Sequence, residues 1–424
     1  MKNSFINVKD TIHYIPLLDI KYKMNNFFKN IISDNYKYIT VIIFFISLFF
    51  GGKIVVWALI PLLIFLFVEY KRYGIGFNKT KSLILLIIFY LWHVISVSYS
   101  DNLDVASFDL QVKLSLIIFP LIFLFKKDSV LFNRKKIAEI FVFSSIVMSV
   151  LLLFNLFAYY VTNNVLLYYM SYSVFLHPSY YALYLDFSVV LAVYLISKTK
   201  NKTTIVYYII AIFLFLINIY FSDSKSGYLA TILVLLYIVF YFGLKKSKLI
   251  TVFSTLLILW ISVAVLKNNP RFQTTFRVVK EYQSVIDNPE DKSSSTSMRI
   301  LAWNASLKII EENTFFGVGA GDIKQELNKK YKELKYDYLL KYHLNSHNQF
   351  LETWLGQGII GFVLLLLVFV IPFIDAIKRK NIILQTFLLL MFINFLFESM
   401  LNTQAGTIFF GFFYSFIVVV NYEE

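Results

Sequence analysis

The chain has 424 residues, 58% of them hydrophobic and 19% aromatic, with 45 Phe, no Cys and a formal net charge of +14; its mean hydropathy is +0.67. A water-soluble fold of this length cannot hide so much apolar surface, and a β-barrel would give short alternating segments. The missing cysteines exclude disulfides, thiolate chemistry and Cys-based metal sites. The positive charge sits in short connections, so it reads as membrane topology rather than nucleic-acid binding.

In chain order, residues 1–37 form a basic tail, expected to be cytoplasmic. Its stretch 15–32 mixes Leu, Phe and Ile with Lys21, Lys23 and Lys29, and reads equally as an amphipathic segment on the membrane face or as a solvated tail. No cleavable leader is evident by inspection. Apolar runs of about 17–25 residues follow, each long enough to cross ~30 Å of hydrocarbon. They predict an all-α integral membrane protein of about twelve spans. Nine fall within 38–266: 38–51, 53–68, 82–98, 111–125, 137–160, 179–196, 204–221, 226–244 and 249–266. Residues 267–346 make one long polar loop. Three last spans, 349–374, 382–399 and 405–420, fall within 347–424.

Loop charge gives orientation. Lys71, Arg72, Lys79 and Lys81 occupy one connection. Lys126, Lys127, Arg134, Lys135 and Lys136 occupy the next on the same side, followed by the clusters at 198–202, 245–248 and 378–380. The alternate connections carry Asp101, Asp104 and Asp109, or no cation at all in 161–178 and 400–406. The positive-inside rule then puts both termini in the cytoplasm and the 267–346 loop outside, periplasmic if the membrane is an inner one.

Within that loop, Phe272, Phe276, Val279, Tyr282 and Ile286 recur at helical spacing and predict an interfacial helix. Arg299 to Asn313 predicts a second, carrying Trp303, Leu307 and Ile310. Ile323, Leu327, Tyr331, Leu334, Tyr338 and Tyr342 predict a third. Only Asn288 to Ser297 reads as disordered.

Polar residues at span edges are the candidates for chemistry. Ser346 and Gln349 fit a capping box, which would place His347 in the first turn of the tenth span. The partial positive charge there disfavours protonated imidazole and leaves His347 as a general base, or simply as an interfacial histidine. Lys225, in the tight turn Ser222-Asp223-Ser224-Lys225-Ser226-Gly227, is a cation at a helix start. It needs an anion, either Asp223 or a bound phosphate. Arg299 begins the second loop helix on the same side. Two cations and a base suit a diphosphate leaving group and a hydroxyl nucleophile.

His177 precedes Pro178 at the outer edge of the sixth span and is placed to line a cavity. His13 lies in the tail, and His93 reads as a buried, hydrogen-bonded histidine. His343 and His347 make a weak metal pair, so no metal site is expected. Gly317, Gly319 and Gly321 fit neither a Walker A loop nor a dinucleotide fingerprint and read as turn glycines.

In order and context these pieces resemble the O-antigen ligase and polymerase family. Ser224-Lys225-Ser226-Gly227 is similar to that family's Ser-Arg-Gly/Ser turn. Arg299 with Trp303, followed by Phe316-Gly317-Val318-Gly319, resembles its Arg-x-x-x-Trp and Gly-x-Gly block. His347-Asn348-Gln349-Phe350-Leu351, followed by Gly358-Ile359-Ile360-Gly361, resembles its His-Asn-x-x-Leu and Gly-hydrophobic-hydrophobic-Gly block. Lysine at 225 departs from the pattern, keeping the charge but losing the bidentate fork. Thr314-Phe315-Phe316 replaces a proline-containing stretch.

The resemblance implies a GT-C-like membrane glycosyltransferase acting without metal or cofactor and with inversion. It implies a polyprenyl-diphosphate-linked glycan as donor and a lipid or glycan as acceptor, with lipid A-core ligation favoured because the long loop comes late in the chain. It assigns His347 as catalytic base and Arg299 and Lys225 as substrate-binding cations. A polysaccharide polymerase with the same donor is the alternative. A lipid-linked glycan transporter, of another class, would need charges deep in spans, and only Asp186 and Glu398 qualify.

Overall fold

The computed structural model describes residues 34–73, 76–77, 80–125, 133–244, 247–289 and 294–423. The amphipathic stretch 15–32 and His13 lie outside them. No strand occurs among the described residues.

The membrane-type helices are α1 (Asp34–Leu48), α2 (Gly52–Tyr73), α3 (Lys81–Val97), α4 (Leu103–Lys113), α5 (Ser115–Leu124), α6 (Arg134–Asn163), α7 (Pro178–Ser197), α8 (Lys202–Ser222), α9 (Lys225–Gly243) and α10 (Lys248–Asn268). The polar segment then folds into α11 (Pro270–Lys280), α12 (Tyr282–Asp287), α13 (Ser295–Glu312), α14 (Ile323–Glu333) and α15 (Asp337–Tyr342). The chain closes with α16 (Gln349–Lys378), α17 (Ile382–Phe397) and α18 (Gln404–Glu423).

Among the described residues, eight helical stretches are long and apolar enough to cross a membrane, with α4 and α5 counted as one across Leu114. Four shorter apolar helices, α1, α3, α17 and α18, stand where the remaining expected spans stand.

The bundle is organised around α7, which packs on α6, α8, α9 and α17. Its apolar window is 89% buried, against 6% for α10, so α7 is the core and α10 a peripheral helix. Between apolar helices in lipid, close packing rather than expulsion of water holds the assembly. Aromatic rings supply it here. Phe141, Phe187, Phe409 and Phe413 interlock, with Phe141 and Phe187 each 4.9 Å from Phe413 at steep ring angles.

The polar segment has its own apolar cluster, built on Leu301, Ala305, Ile309, Leu327, Tyr331 and Leu355. It departs from the expected helices in two ways. The first helix breaks at Glu281, and it buries Phe272, Val278 and Val285 while Phe276, Val279 and Tyr282 stay exposed. The third breaks before Asp337, where Lys335 adopts φ 57°. Of the stretch expected to be disordered, residues 290–293 lie outside the described residues, while Ser295 to Ser297 begin α13, whose N-cap Ser294 accepts from Ser297 N.

One backbone feature ties segment to bundle. Helix α16 is broken at Gly358 (φ 66°), and the 313–318 turn threads into the break. Thr314 O accepts from Ile359 N at 2.9 Å and from Trp354 Nε1 at 3.1 Å, and Val318 N donates to Leu355 O at 2.7 Å. These bonds satisfy the groups that the break orphans. A Cβ on Gly358 would lie 2.0 Å from Phe315 O, and one on Gly317 2.3 Å from Leu355 O. The two glycine blocks of the sequence are thus two sides of one backbone contact.

Candidate active site

The N-terminal ends of α7, α9 and α16, the C-terminal end of α17 and the start of α13 meet at one end of the bundle. Glu398, the C-cap of α17, is the hub. Its Oε1 lies 2.5 Å from Arg299 Nη2, and its Oε2 lies 3.1 Å from His347 Nδ1. Ser179, in the first turn of α7, donates to Oε1 at 3.5 Å, and Ser224, the N-cap of α9, reaches Ser179 at 3.5 Å. Arg299 and His347 touch this carboxylate, His177 stands on the turn that bonds it through Ser179, and Lys225 stands one step further, on the turn that reaches Ser179.

Arg299 also donates from Nε to Phe397 O at 3.0 Å. One turn along α13, the Trp303 ring lies 6.4 Å from that of Phe397. The Arg-x-x-x-Trp spacing therefore docks α13 on the end of α17 through two side chains of one helix face.

His347 is not in the first turn of α16. It precedes the N-cap with φ 47°. The expected capping box does not form. Asn348 caps the helix, its Oδ1 accepting from Phe350 N and Leu351 N. Ser346 instead donates to the buried Glu352 at 2.5 Å from its hydroxyl and 3.1 Å from its backbone N. Gln349 uses Oε1 to accept from Leu401 N at 2.7 Å. Asn402 Nδ2 donates to Glu352 at 2.7 Å, so Glu352 and Gln349 clamp the segment before α16 to the one after α17. The electrostatic partner of His347 is thus the Glu398 carboxylate rather than a helix end. With Nδ1 turned to that carboxylate, Nε2 has no hydrogen-bond partner among the described residues.

The carboxylate is ionised in spite of burial. Burial pushes the Glu398 carboxyl up, but the hydrogen bond with His347 and the charges of Arg299, His347 and His177 outweigh it and hold the group at about 2. His177 accepts from Ser179 N at 3.3 Å and so caps α7. Burial first, then the charges of Arg299, His347 and Arg271, keep its pKa below the ordinary histidine value, against the pull of Glu398.

Lys225 donates to Ser295 Oγ at 3.1 Å and Thr296 Oγ1 at 2.9 Å. Asp223 is not its partner, because Arg271 and Asn269 hold that carboxylate. The turn before Lys225 stays tight because Gly227 faces α7: a Cβ there would lie 2.5 Å from Ala182 Cβ.

Sequence reasoning missed Glu398 as a site residue and Arg271 altogether. As a lone carboxylate at a span end, Glu398 fits a transporter-type charge in the sequence, but the structure pairs it with Arg299 and His347. Asp186, the other such charge, accepts from Thr231 at 2.6 Å inside the bundle. His93 is buried and hydrogen-bonded as expected, with Gln357 Nε2 on Nδ1 and Asp109 on Nε2, both at 2.6 Å. His343 is exposed and meets Asn328 at 3.2 Å. Among the described residues no His and carboxylate group has the makings of a metal site.

Residues 210–366 match the model of the family described as O-Antigen ligase. The matched stretch contains Lys225, Arg271, Arg299, His347 and both glycine blocks, while His177 and Glu398 lie outside it. The chain is also 27% identical over 202 residues to a protein of Haemophilus influenzae described as uncharacterized. That alignment covers 46% of this chain and 49% of the relative, so the chain spans about half the length of the curated relative that it matches.

Proposed function

Since the chain carries an O-antigen ligase family domain over residues 210–366, we propose that it is a GT-C-like glycosyltransferase of the inner membrane. It moves a glycan from a polyprenyl-diphosphate carrier to the hydroxyl of a lipid A-core or similar acceptor, at the outer face. The observation that carries this reading is the Glu398–His347 pair. A carboxylate accepting Nδ1–H fixes the imidazole tautomer and leaves the Nε2 lone pair available.

His347 Nε2 takes the proton of the acceptor hydroxyl. The freed oxygen forms a bond to the anomeric carbon, and the bond from that carbon to the diphosphate oxygen breaks. The diphosphate leaves with the electron pair, and the anomeric centre inverts. Lys225 and Arg299 supply the positive charge that the leaving group gathers, in place of a divalent ion. Glu398 is a positioning residue for His347 and Arg299 together. His177 lines the same end and helps to seat the substrate. The polar segment 267–346 covers the site, and both termini lie in the cytoplasm. The late position of that segment favours ligation over polymerisation.

The test is transfer by purified protein from a polyprenyl-diphosphate glycan to a lipid acceptor with EDTA present throughout. Inverted product and released polyprenyl diphosphate are expected. No transfer, or transfer that EDTA abolishes, contradicts the reading. In cells, deletion should leave polymer on the carrier; accumulation of single repeat units would identify a polymerase.

A further inference from the structure

Arg271, in the first turn of α11, was not used in the reaction above. Its Nη1 donates to the backbone carbonyl of Asp223 and lies 3.3 Å from Asp223 Oδ2. Its guanidinium carbon lies over Tyr169, 3.7 Å from the ring centroid. Nε and Nη2 have no hydrogen-bond partner among the described residues. One face of a planar, permanently charged donor is therefore fixed and its other donors are unspent.

Those donors border a groove. Arg271, Asp223, Asn268 and Tyr168 line a space of about 620 Å³. A second space, of about 270 Å³, shares Tyr220, Tyr228 and Val265 with it. Its remaining walls are almost all apolar, among them Leu216 of α8, Leu235 of α9 and Ile261 of α10. The pair has a cationic, hydrogen-bonding end and an oily end, the chemistry of an amphiphile with an anionic head. The head end adjoins the active site. Thr275 donates to Arg271 O at 2.8 Å and meets Thr296 at 3.0 Å, and Thr296 accepts from Lys225.

We propose that Arg271 is a second phosphate-binding residue, that it seats the head of the lipid-diphosphate donor together with Lys225, and that the groove between α8, α9 and α10 takes the donor's lipid chain. This rests on the donor class proposed above. Lysine is a point charge, and Lys225 already donates to two hydroxyls. Arginine adds the planar fork that phosphate oxygens match. Asp223 is the resting counter-ion, which the phosphate replaces on Arg271. The peripheral α10 closes the groove on the lipid side, where a chain can slide in from the bilayer.

The test is equilibrium binding of a long-chain polyprenyl diphosphate, and separately of inorganic pyrophosphate, to the full-length protein in lipid nanodiscs. Arg271→Ala should weaken the lipid by about tenfold or more. Asp223→Asn should tighten it, because the counter-ion is gone; Asn tolerates the left-handed backbone at this position (φ 46°). Ile261→Trp should weaken the lipid and leave pyrophosphate unchanged. Wild-type affinity in Arg271→Ala, or weaker binding in Asp223→Asn, overturns the role of Arg271. Wild-type lipid affinity in Ile261→Trp, or pyrophosphate binding as tightly as the lipid, overturns the groove. The expected binding pattern in a protein that transfers no glycan would sink the transferase reading and leave this site standing.

Discussion

Glu398 decides what the neighbouring side chains can do. Its two oxygens are divided between Arg299 and His347, so one buried charge orients both side chains at once. Glu398→Gln keeps the shape but loses the charge, leaving Arg299 without its ion pair and His347 without a committed acceptor. Transfer should fall by about tenfold or more with the protein still inserted. The folded pKa, about 2, is below the ordinary value of 4.5. The stability contributed by the ionised group is therefore present above about pH 4.5 and lost as pH falls towards 2. The gap in unfolding midpoint between wild type and Glu398→Gln in detergent should close across that window. A gap that stays constant with pH would contradict the pairing.

Lys225, Arg299, His347 and His177 stand out in the sequence as polar side chains at apolar edges, and the structure gathers them near Glu398. The helix start that the sequence suggests for His347 and Arg299 is not where they sit: His347 precedes the N-cap of α16 and Arg299 is the fifth residue of α13. Glu398 and Arg271 were not legible, because their partners lie at sequence distances of 99 and 48, and no periodicity encodes such pairings.

Among the elements, α16 carries the most consequence. Its break at Gly358 receives the 313–318 turn and so fixes how the polar segment sits over the bundle. Gly358→Ala meets both a backbone oxygen at 2.0 Å and a φ of 66°. With ψ −169° this is backbone that essentially only glycine adopts, costing another residue about 1–3 kcal/mol, so a clear fall in thermal midpoint is expected, larger than for alanine at Gly52, which also has a positive φ (51°) but open space around it. Equal shifts for the two would show that the 313–318 contact does not form.

The helical character of this region was readable from apolar runs, but its start was not. Ser346 and Gln349 have the spacing of a capping box, yet Glu352 and Leu401 compete for them and Asn348, an equally good cap, takes over. Tertiary partners overrode a local motif. The α12 and α15 breaks were hidden for the opposite reason, since apolar spacing continues across them.

At the scale of the whole molecule, we propose from the alternation of cation-rich and cation-poor connections that the site-bearing end is the outer one. Reporter fusions at Asn288 and Asp104 should read as extracytoplasmic, and fusions at Lys135 and Lys246 as cytoplasmic. A cytoplasmic signal at Asn288 would turn the site towards nucleotide sugars and end the proposed chemistry. That twelve apolar segments could be placed from sequence reflects how strongly a bilayer constrains length and composition. How they pack was harder to read, because α7 and α10 both pass as apolar spans, although α7 is the less apolar of the two and carries Asp186 and four tyrosines; α7 is the core and α10 the rim.

The most direct test of the account is the rate of glycosyl transfer by purified His347→Ala, set against His343→Ala, with a polyprenyl-diphosphate glycan and a lipid acceptor. General-base catalysis is worth roughly 10²–10⁴-fold. His347→Ala should lose that much while still binding donor, and His343→Ala, whose exposed ring meets Asn328, should transfer at the wild-type rate. Turnover near wild type by a folded, inserted His347→Ala would contradict the central claim.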